Sequence, residues 1–338
     1  MAEVKMSSLR TVLQYLLSIF GTALLPLAIP WAIYLICKGR RFRSLEGKVV
    51  LITGASSGLG EALAHAFYAC GCKLILAARR SKELERVRDE LVNLKDVRNN
   101  SVPAILTLDL GDVDSMEEKA ATAQAIFGCV DVLVNNGGIS YRGKITDTTM
   151  SVHSKIMDVN YLGQVALTKG LLGRMIERKS GHIVTVSSVQ GRISIPYRSA
   201  YAASKHALQA FMDSLRAEVA HEGVDVTVVS PGYIKTNLSL NAVTSVGNKY
   251  GVMDDATENG LEPSDVAGQI VRAVRYGEPE LTVAPTMPKL AIILRAVAPA
   301  LYFIIMRRRA LKFEGLPQPK TCHPPKDSKL NEFLTNIS

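Results

Sequence analysis

The sequence predicts an α/β protein built on a single doubly wound parallel sheet with helices on both faces. Three observations support this prediction. Short apolar runs of strand length alternate with helical stretches from Gly47 to Ala284. No internal repeat or low-complexity linker interrupts the alternation. A chain of 338 residues, 47% of them apolar, is also large enough to bury the core of such a domain.

The apolar runs set the expected order of elements. The first strand, Val49–Thr53, precedes a helix at Leu59–Cys70, and the second strand, Lys73–Ala78, precedes a helix at Lys82–Leu94. Because helices separate consecutive strands, the strands should be parallel and buried on both faces. Later strands are expected at Ala104–Leu108, Val130–Val134, Ile183–Val186 and Val226–Val229.

An apolar segment precedes the predicted domain. Thr11 to Cys37 contains no charged residue, and about 20 apolar residues span a bilayer. Residues 1–44 are therefore predicted to form an uncleaved, single-pass membrane anchor with a basic flank; a cleaved signal peptide is the alternative. The expected location is the endoplasmic reticulum membrane. Four basic residues after the segment and two before it favour a cytosolic domain, without fixing the side.

A second apolar segment, Leu290–Met306, contains Arg295 and Pro299 and ends at Arg307-Arg308-Arg309. Its length and internal charge make it marginal as a membrane span. Residues 286–314 are predicted to form a helix at the membrane interface; a helix packed on the core or in a dimer is the alternative. The Pro- and Lys-rich tail, 315–338, is predicted to be disordered.

The composition argues against nucleic-acid binding and against a metal or redox site. The net charge is +9, and its basic clusters lie beside apolar segments, which favours a membrane surface over nucleic acid. The five cysteines are odd in number and show no spacing typical of a metal or redox site. We therefore expect unpaired thiols and no bound metal.

The turn after the first strand carries the first functional signal. Thr53-Gly54-Ala55-Ser56-Ser57-Gly58-Leu59-Gly60 follows a strand and opens a helix. Glycines let a backbone approach a pyrophosphate, and a helix N-terminus attracts its charge. The turn therefore predicts dinucleotide binding.

The end of the second strand indicates which dinucleotide. Arg79 and Arg80 follow Ala78, with no acidic residue for a ribose hydroxyl. A guanidinium suits a 2′-phosphate, so NADP(H) is expected in preference to NAD. Two solvated arginines at a strand end are the alternative.

The stretch from Ser188 to Lys205 carries the predicted chemistry. Tyr201 and Lys205 share one helix face, and Ser188 follows a buried strand. A nearby ammonium would lower the pKa of the tyrosine from about 10 towards 7, so that the phenol exchanges protons with a substrate oxygen. Ser188 would hold that oxygen. A surface Tyr and Lys on an ordinary helix are the alternative.

Together these motifs resemble the short-chain dehydrogenase/reductase superfamily over residues 45–285. Asn135-Asn136-Gly137-Gly138 is similar to its N-N-A-G motif, with Gly137 in place of alanine. The resemblance implies a Rossmann-type domain and a catalytic Asn160 beside Ser188, Tyr201 and Lys205. The expected cofactor contacts are Gly54, Ser56, Ser57, Gly58, Leu59, Gly60, Arg79, Arg80, Asp109, Leu110, Asn136, Gly138, Tyr201, Lys205, Pro231, Gly232, Ile234 and Thr236.

The resemblance implies a membrane-anchored, NADP(H)-dependent oxidoreductase that transfers hydride between nicotinamide and a carbonyl or secondary alcohol. Two apolar segments around one site favour a hydrophobic substrate such as a steroid, retinoid or acyl-lipid ketone. The expected partners are this substrate and the lipid bilayer; a homodimer is left open and nucleic acid is not expected. The rival hypothesis is a non-catalytic dinucleotide-binding protein that senses redox state or acts as a scaffold at a membrane.

Overall fold

The computed structural model describes residues 42–94, 99 and 101–314, together with Gln14, 26–32 and Tyr34. The chain divides into two units, Met1–Arg43 and Ser44–Ser338. In the first unit, residues 26–32 are helical. Among the described residues, no helix combines the length and the apolarity needed to cross a bilayer. Most of the predicted anchor and the whole tail, 315–338, lie outside the described residues, so both remain predictions.

The second unit contains a seven-stranded sheet in which every pair of neighbours is parallel. Its strands are β1 (Val49–Thr53), β2 (Lys73–Ala78), β3 (Ala104–Thr107), β4 (Val132–Asn135), β6 (Gly181–Val186), β7 (Val224–Pro231) and β9 (Glu280–Val283), and β5 (Tyr141–Arg142) pairs with β8 (Val243–Thr244) in a separate parallel ribbon. The order of the strands in the sheet, β3-β2-β1-β4-β6-β7-β9, runs outward in both directions from β1 and β4. The sheet therefore confirms the doubly wound architecture.

Helices cover both faces of the sheet, because each helix turns an apolar stripe towards strands that are buried on both sides. Helices α1, α2 and α8 share one apolar cluster with the sheet, and α3, α5 and α6 share the other. The described helices of the second unit are α1 (Gly58–Tyr68), α2 (Ser81–Val92), α3 (Met116–Phe127), α4 (Met150–Met157), α5 (Gly163–Glu177), α6 (Ser199–Glu218), α7 (Asp255–Glu258), α8 (Pro263–Tyr276), α9 (Thr286–Val297) and α10 (Pro299–Glu314).

A π-helical turn, Asp158–Leu162, joins α4 to α5. At the start of α5, Gly163 is pressed against the loop that follows β3. A Cβ atom added at Gly163 would lie 2.0 Å from the backbone oxygen of Leu110. Glycine therefore permits the close approach of this helix to the loop.

The C-terminal helices α9 and α10 form a hairpin, where the sequence led us to expect one helix over residues 286–314. The break falls at Ala298, because Pro299 cannot continue the ladder of α9 and begins the next helix instead. No residue of α9 is buried. Tyr302 of α10 is buried, and its hydroxyl donates a hydrogen bond to the backbone oxygen of Ser194.

The three cysteines among the described residues, Cys70, Cys72 and Cys129, are free thiols, as expected. The other two, Cys37 and Cys322, lie outside the described residues.

We predict that Gly163→Ala destabilises the protein, because the new methyl group must displace the backbone of Leu110. Overpacking of this kind costs about 1–3 kcal/mol. Gly173, on the same helix, has open space around it, so Gly173→Ala should instead stabilise the helix by about 0.5–1 kcal/mol. Denaturant unfolding of both variants measures the effects. Equal stabilities would contradict the close contact at Gly163.

Candidate active site

A cavity of about 1100 Å³ lies at the carboxyl ends of the parallel strands. Residues that directly follow β1, β2, β3, β4 and β6 line it, as does the end of β7. This is the edge at which open α/β sheets bind ligands. Every residue of the predicted site except Asn160 lines this cavity.

The glycine-rich turn packs too closely for larger residues. A Cβ atom on Gly60 would lie 2.1 Å from the backbone oxygen of Gly54, and one on Gly54 would lie 2.8 Å from the Cα of Gly137. Gly58 faces Thr236, whose Cγ2 would be 3.0 Å from an added Cβ atom. The turn therefore brings bare backbone to the start of α1, and this arrangement fits the pyrophosphate of a dinucleotide.

Thr53 fixes the neighbouring strand end and was not singled out in the sequence. Its hydroxyl oxygen accepts hydrogen bonds from the backbone amides of Asn136 and Gly137, both at 3.0 Å. The side-chain amide of Asn136 in turn donates to the backbone oxygen of Thr53 at 2.9 Å. An added Cβ atom on Gly137 would lie 2.7 Å from a methyl carbon of Leu110. A glycine at this position is therefore accommodated without loss of these bonds.

The two predicted cofactor arginines have different partners. Arg80 Nη2 donates hydrogen bonds to Ser56 Oγ and Ser57 Oγ, each at 3.0 Å. Arg79 Nη1 lies 3.9 Å from Asp109 Oδ2 in an exposed pair, which contributes little energy. Arg80 therefore places a guanidinium directly at the glycine-rich turn, and its role at a 2′-phosphate stays a prediction.

Asp109 accepts a hydrogen bond from the backbone amide of Gly111 at 3.0 Å. It therefore closes a tight turn. Leu110, Pro231, Gly232 and Ile234 complete the predicted cofactor lining.

Ser188, Tyr201 and Lys205 meet at one wall of the cavity. Tyr201 and Lys205 lie one turn apart on α6, and they are only 8% and 4% exposed. Lys205 Nζ lies 5.9 Å from the centroid of the Tyr201 ring and donates a hydrogen bond to the backbone oxygen of Val186 at 2.9 Å. Ser188 lies two residues after the end of β6, and its Oγ accepts from the amide of Gln190 at 3.1 Å. The alternative of a surface Tyr and Lys is therefore wrong.

The expected lowering of the pKa of Tyr201 by Lys205 is not found. Burial raises the pKa of Tyr201, and the hydrogen bond with Ser188 and the positive charges of Arg142 and Arg198 oppose that rise. Burial also lowers the pKa of Lys205 to about 8. The physical reason is desolvation, which favours the neutral form of each group. A medium of intermediate dielectric, which the prediction assumed, does not describe a pair that is almost completely buried.

Asn160 lies in the π-helical turn and is fully buried, away from the cavity lining. Its Oδ1 accepts from the amide of Ile139 at 2.8 Å, and its Nδ2 donates to the backbone oxygen of Ile139 and to Ser204 Oγ, at 2.9 and 3.0 Å. These bonds tie the strand end at β4 to the helix of Tyr201. They give Asn160 a structural attachment beside the site, and its catalytic role remains a prediction.

Two paired charged residues of this region, Arg142 and Asp254, were not predicted from the sequence. Arg142 lines the cavity, and its guanidinium bonds Asp254, which lies 112 positions later in the chain. The tight pairing of such distant residues leaves no local pattern in a sequence. The one available signal was an arginine within I-S-Y-R-G, just beyond the carboxyl end of a predicted strand.

Comparison with known proteins agrees with this geometry. A family model described as short chain dehydrogenase matches residues 48–246, which is more than half of the chain. The chain therefore belongs to the short-chain dehydrogenase/reductase family, a family of oxidoreductases.

Two relatives are similar to this chain over most of their length. The chain is 53% identical over 301 residues to a dehydrogenase/reductase SDR family protein 7-like of Anopheles gambiae, covering 88% of this chain and 95% of the relative. It is 48% identical over 301 residues to dehydrogenase/reductase SDR family member 7B of Bos taurus, covering 87% and 92%.

A solved structure is also similar. The alcohol dehydrogenase of the archaeon Thermococcus sibiricus, complexed with 5-hydroxy-NADP, has a TM-score of 0.60 and 25% identity, covering 71% of this chain and 96% of that one.

We predict that burial of Lys205 makes stability depend on pH. Below about pH 8 the folded and unfolded chains both carry the ammonium, so the cost of burying it is fully present. Between about 8 and 10.5 the folded chain binds fewer protons than the unfolded one, so stability rises with pH. The free energy of unfolding of Lys205→Met minus that of the wild type should therefore decrease by about 3 kcal/mol over this window.

Denaturant unfolding at a series of pH values measures this difference. Lys169→Met, at an exposed lysine of α5, is the control and should give a difference that does not change with pH. A constant difference for Lys205→Met as well would show that its ammonium is solvated.

Proposed function

We propose that the protein is an NADP(H)-dependent oxidoreductase that interconverts a hydrophobic carbonyl compound and its secondary alcohol at a membrane. The observation that carries this proposal is the meeting of Ser188, Tyr201 and Lys205 on the wall of a cavity whose other end is the glycine-rich turn. The nearly complete burial of Tyr201 and Lys205 favours catalysis over mere binding, because a non-catalytic dinucleotide binder has no need of a desolvated phenol and amine.

The residues divide the chemistry between them. The cofactor, when bound, supplies or accepts a hydride. In carbonyl reduction, the hydroxyl groups of Ser188 and Tyr201 donate hydrogen bonds to the substrate oxygen, and Tyr201 delivers the proton. Lys205 lies beside the phenol and adds positive charge when protonated. In alcohol oxidation, the phenolate of Tyr201 accepts the proton.

Arg80 supports the preference for NADP(H). Its bonds to Ser56 and Ser57 hold the guanidinium beside the turn that would receive the phosphates. Because hydroxyl groups alone do not neutralise its charge, an incoming 2′-phosphate gains a charge-assisted partner there.

The cavity also supports a hydrophobic substrate. Apolar side chains of the C-terminal hairpin, α9–α10, form part of its wall, while Arg142, Lys155 and Lys249 line other parts. Side chains of this hairpin that line the mouth include Leu290, Ile293 and Met306. An apolar ketone with few polar groups fits such a lining better than a charged one.

The same hairpin is the proposed membrane contact. Leu301 and Ile304 are each 50% exposed, and arginines 307 and 308 beside them are exposed as well. An apolar face next to basic residues suits the interface of a bilayer with anionic lipids. This face would hold the cavity mouth at the surface from which a lipid-soluble substrate arrives. The endoplasmic reticulum remains the proposed location.

We expect Arg80→Ala to lower kcat/KM for NADPH much more than kcat/KM for NADH. Loss of one charge-assisted contact costs about 1.5–3 kcal/mol, so kcat/KM for NADPH should fall about 10- to 100-fold, while that for NADH changes little. Steady-state kinetics with both cofactors measures the ratio. Arg88→Ala, on the helix α2 that Arg80 precedes, is the matched control. An equal loss with both cofactors would refute the assignment of Arg80.

The substrate proposal is tested with full-length protein reconstituted in vesicles of phosphatidylcholine and phosphatidylserine. With NADPH, kcat/KM should be higher for steroid, retinoid or acyl-lipid ketones than for small water-soluble ketones. Tyr201→Phe should reduce turnover of every active substrate by about 100-fold or more, because the proton donor is lost. Equal turnover by Tyr201→Phe removes this residue from the mechanism, and a preference for soluble ketones rejects the substrate class.

The hairpin variant Leu301→Asp/Ile304→Asp separates membrane contact from chemistry, because neither residue lines the cavity. Turnover of the vesicle-borne ketone should fall, while turnover of a soluble ketone stays unchanged. Val102→Asp, at an exposed apolar residue away from the hairpin, is the control. Equal losses with both substrates would show that the hairpin face supports the fold and does not contact lipid.

A further inference from the structure

Two buried arginines share one carboxylate beside Tyr201. Asp254 Oδ2 accepts hydrogen bonds from Arg142 Nε at 2.9 Å, from Arg142 Nη2, and from Arg198 Nη2 at 3.2 Å. The arginine side chains are 7% and 9% exposed, and that of Asp254 is 19% exposed. We call these three residues the arginine cluster.

The arginine cluster contains one positive charge in excess. Two guanidinium groups face one carboxylate, and a buried charge is costly unless it is compensated. The cost is visible in the pKa of Arg198, which is lowered to about 10. Burial is the main cause, and the charge of Arg142 is the second. A purely structural ion pair needs no second arginine, so the excess charge calls for another explanation.

The arginine cluster lies where that charge acts on Tyr201. Arg198 precedes the first turn of α6, three residues before Tyr201. Arg142 lines the same cavity as Tyr201, and its neighbour Tyr141 packs in one apolar cluster with the Tyr201 ring. The charges of both arginines lower the pKa of Tyr201 against the effect of burial.

The arginine cluster also joins separate parts of the substrate side. Asp254 belongs to the segment 233–262, and Ser239 of the same segment donates to its Oδ2 at 3.4 Å. The ring centroid of Tyr250 lies 5.8 Å from the guanidinium carbon of Arg142. Through Asp254, this segment is therefore attached to β5 and to the start of the catalytic helix.

We propose that Arg142, Arg198 and Asp254 are positioning residues, which hold the segment 233–262 over the substrate end of the cavity and impose a net positive charge on the phenol of Tyr201. The proposal rests on the proposed function only in taking Tyr201 as the group that exchanges the proton. In this proposal the arginine cluster supplies the positive charge near Tyr201 that the sequence suggested for Lys205.

Other groups also face this region, and the substitutions used to test the proposal leave their charges unchanged. Ser188, Lys205 and Tyr233 surround the phenol or line the cavity beside it, and Tyr250 lies under Arg142. The further charged groups that line the cavity are Lys155 on α4, Lys249 in the segment 233–262, Arg309 on α10, and, at the cofactor end, Arg79, Arg80 and Asp109.

The test compares variants that change the charge of the cluster in opposite directions. Arg142→Gln and Arg198→Gln each remove a positive charge, so the pKa of Tyr201 should rise by about one pH unit. Asp254→Asn removes the negative charge, so that pKa should fall by a similar amount. All three variants loosen the segment 233–262, so KM for the substrate should rise in each. Arg142→Lys keeps the charge and should retain the wild-type midpoint.

Two measurements report the pKa. One is the midpoint of the pH profile of kcat/KM. The other, independent of turnover, is the titration of tyrosine labelled with ¹³C at Cζ in the full-length protein in detergent, with the Tyr201 signal assigned by its loss in Tyr201→Phe. If Tyr201 titrates as expected but no ketone is reduced, the proposed function fails and this inference stands.

Opposite movements of the midpoint cannot arise from general loosening, which would move every variant in the same direction. Arg174→Gln, at an exposed arginine of α5 outside the cavity, should leave both the midpoint and KM unchanged. The proposal is overturned if Arg142→Gln and Asp254→Asn shift the midpoint in the same direction. It is equally overturned if both lower the melting temperature and leave the midpoint in place.

Discussion

Desolvation of the Tyr201–Lys205 pair is the constraint on which the organisation of the site depends. Burial raises the pKa of the phenol and lowers that of the ammonium, so both groups are driven towards their neutral forms. A neutral phenol is cheap to bury, but a phenolate is then difficult to form, and Lys205, with a pKa of about 8, carries its positive charge only below that pH. Positive charge that lowers the pKa of Tyr201 at higher pH comes from the arginines at 142 and 198, one in the ribbon β5–β8 and one just before α6.

The two ends of the cavity are built from different parts of the chain. The cofactor end uses the turns that follow β1 to β4, where the backbone is held by close glycine contacts and by the bonds of Thr53. The substrate end uses the ribbon β5–β8, the segment 233–262 and the hairpin α9–α10. The cofactor end depends on short contacts between neighbouring strands of one sheet. The substrate end can vary in sequence without disturbing the sheet, which suits a family whose members act on many substrates.

The sequence predicted the sheet and the cofactor end well, because both depend on local patterns. The strand Lys73–Ala78 agrees at both ends, and the glycine turn opens α1 as expected. The seventh strand, Glu280–Val283, was missed because it is a short edge strand with few apolar residues. The bond between Arg142 and Asp254 left no signal, since it joins distant positions. The direction of the pKa change at Tyr201 required knowledge of burial, which spacing alone does not provide.

The π-helical turn has a consequence for how this protein can change by insertion and deletion. An α-helix rotates by about 100° per residue, whereas the wider turn at Asp158–Leu162 accommodates an additional residue between α4 and α5. Losing one residue there would restore regular α-helical spacing and remove the widening in which Asn160 lies. Asn160 would then leave its partners at Ile139 and Ser204. Single-residue deletions in this stretch should therefore be rarer among functional descendants than substitutions.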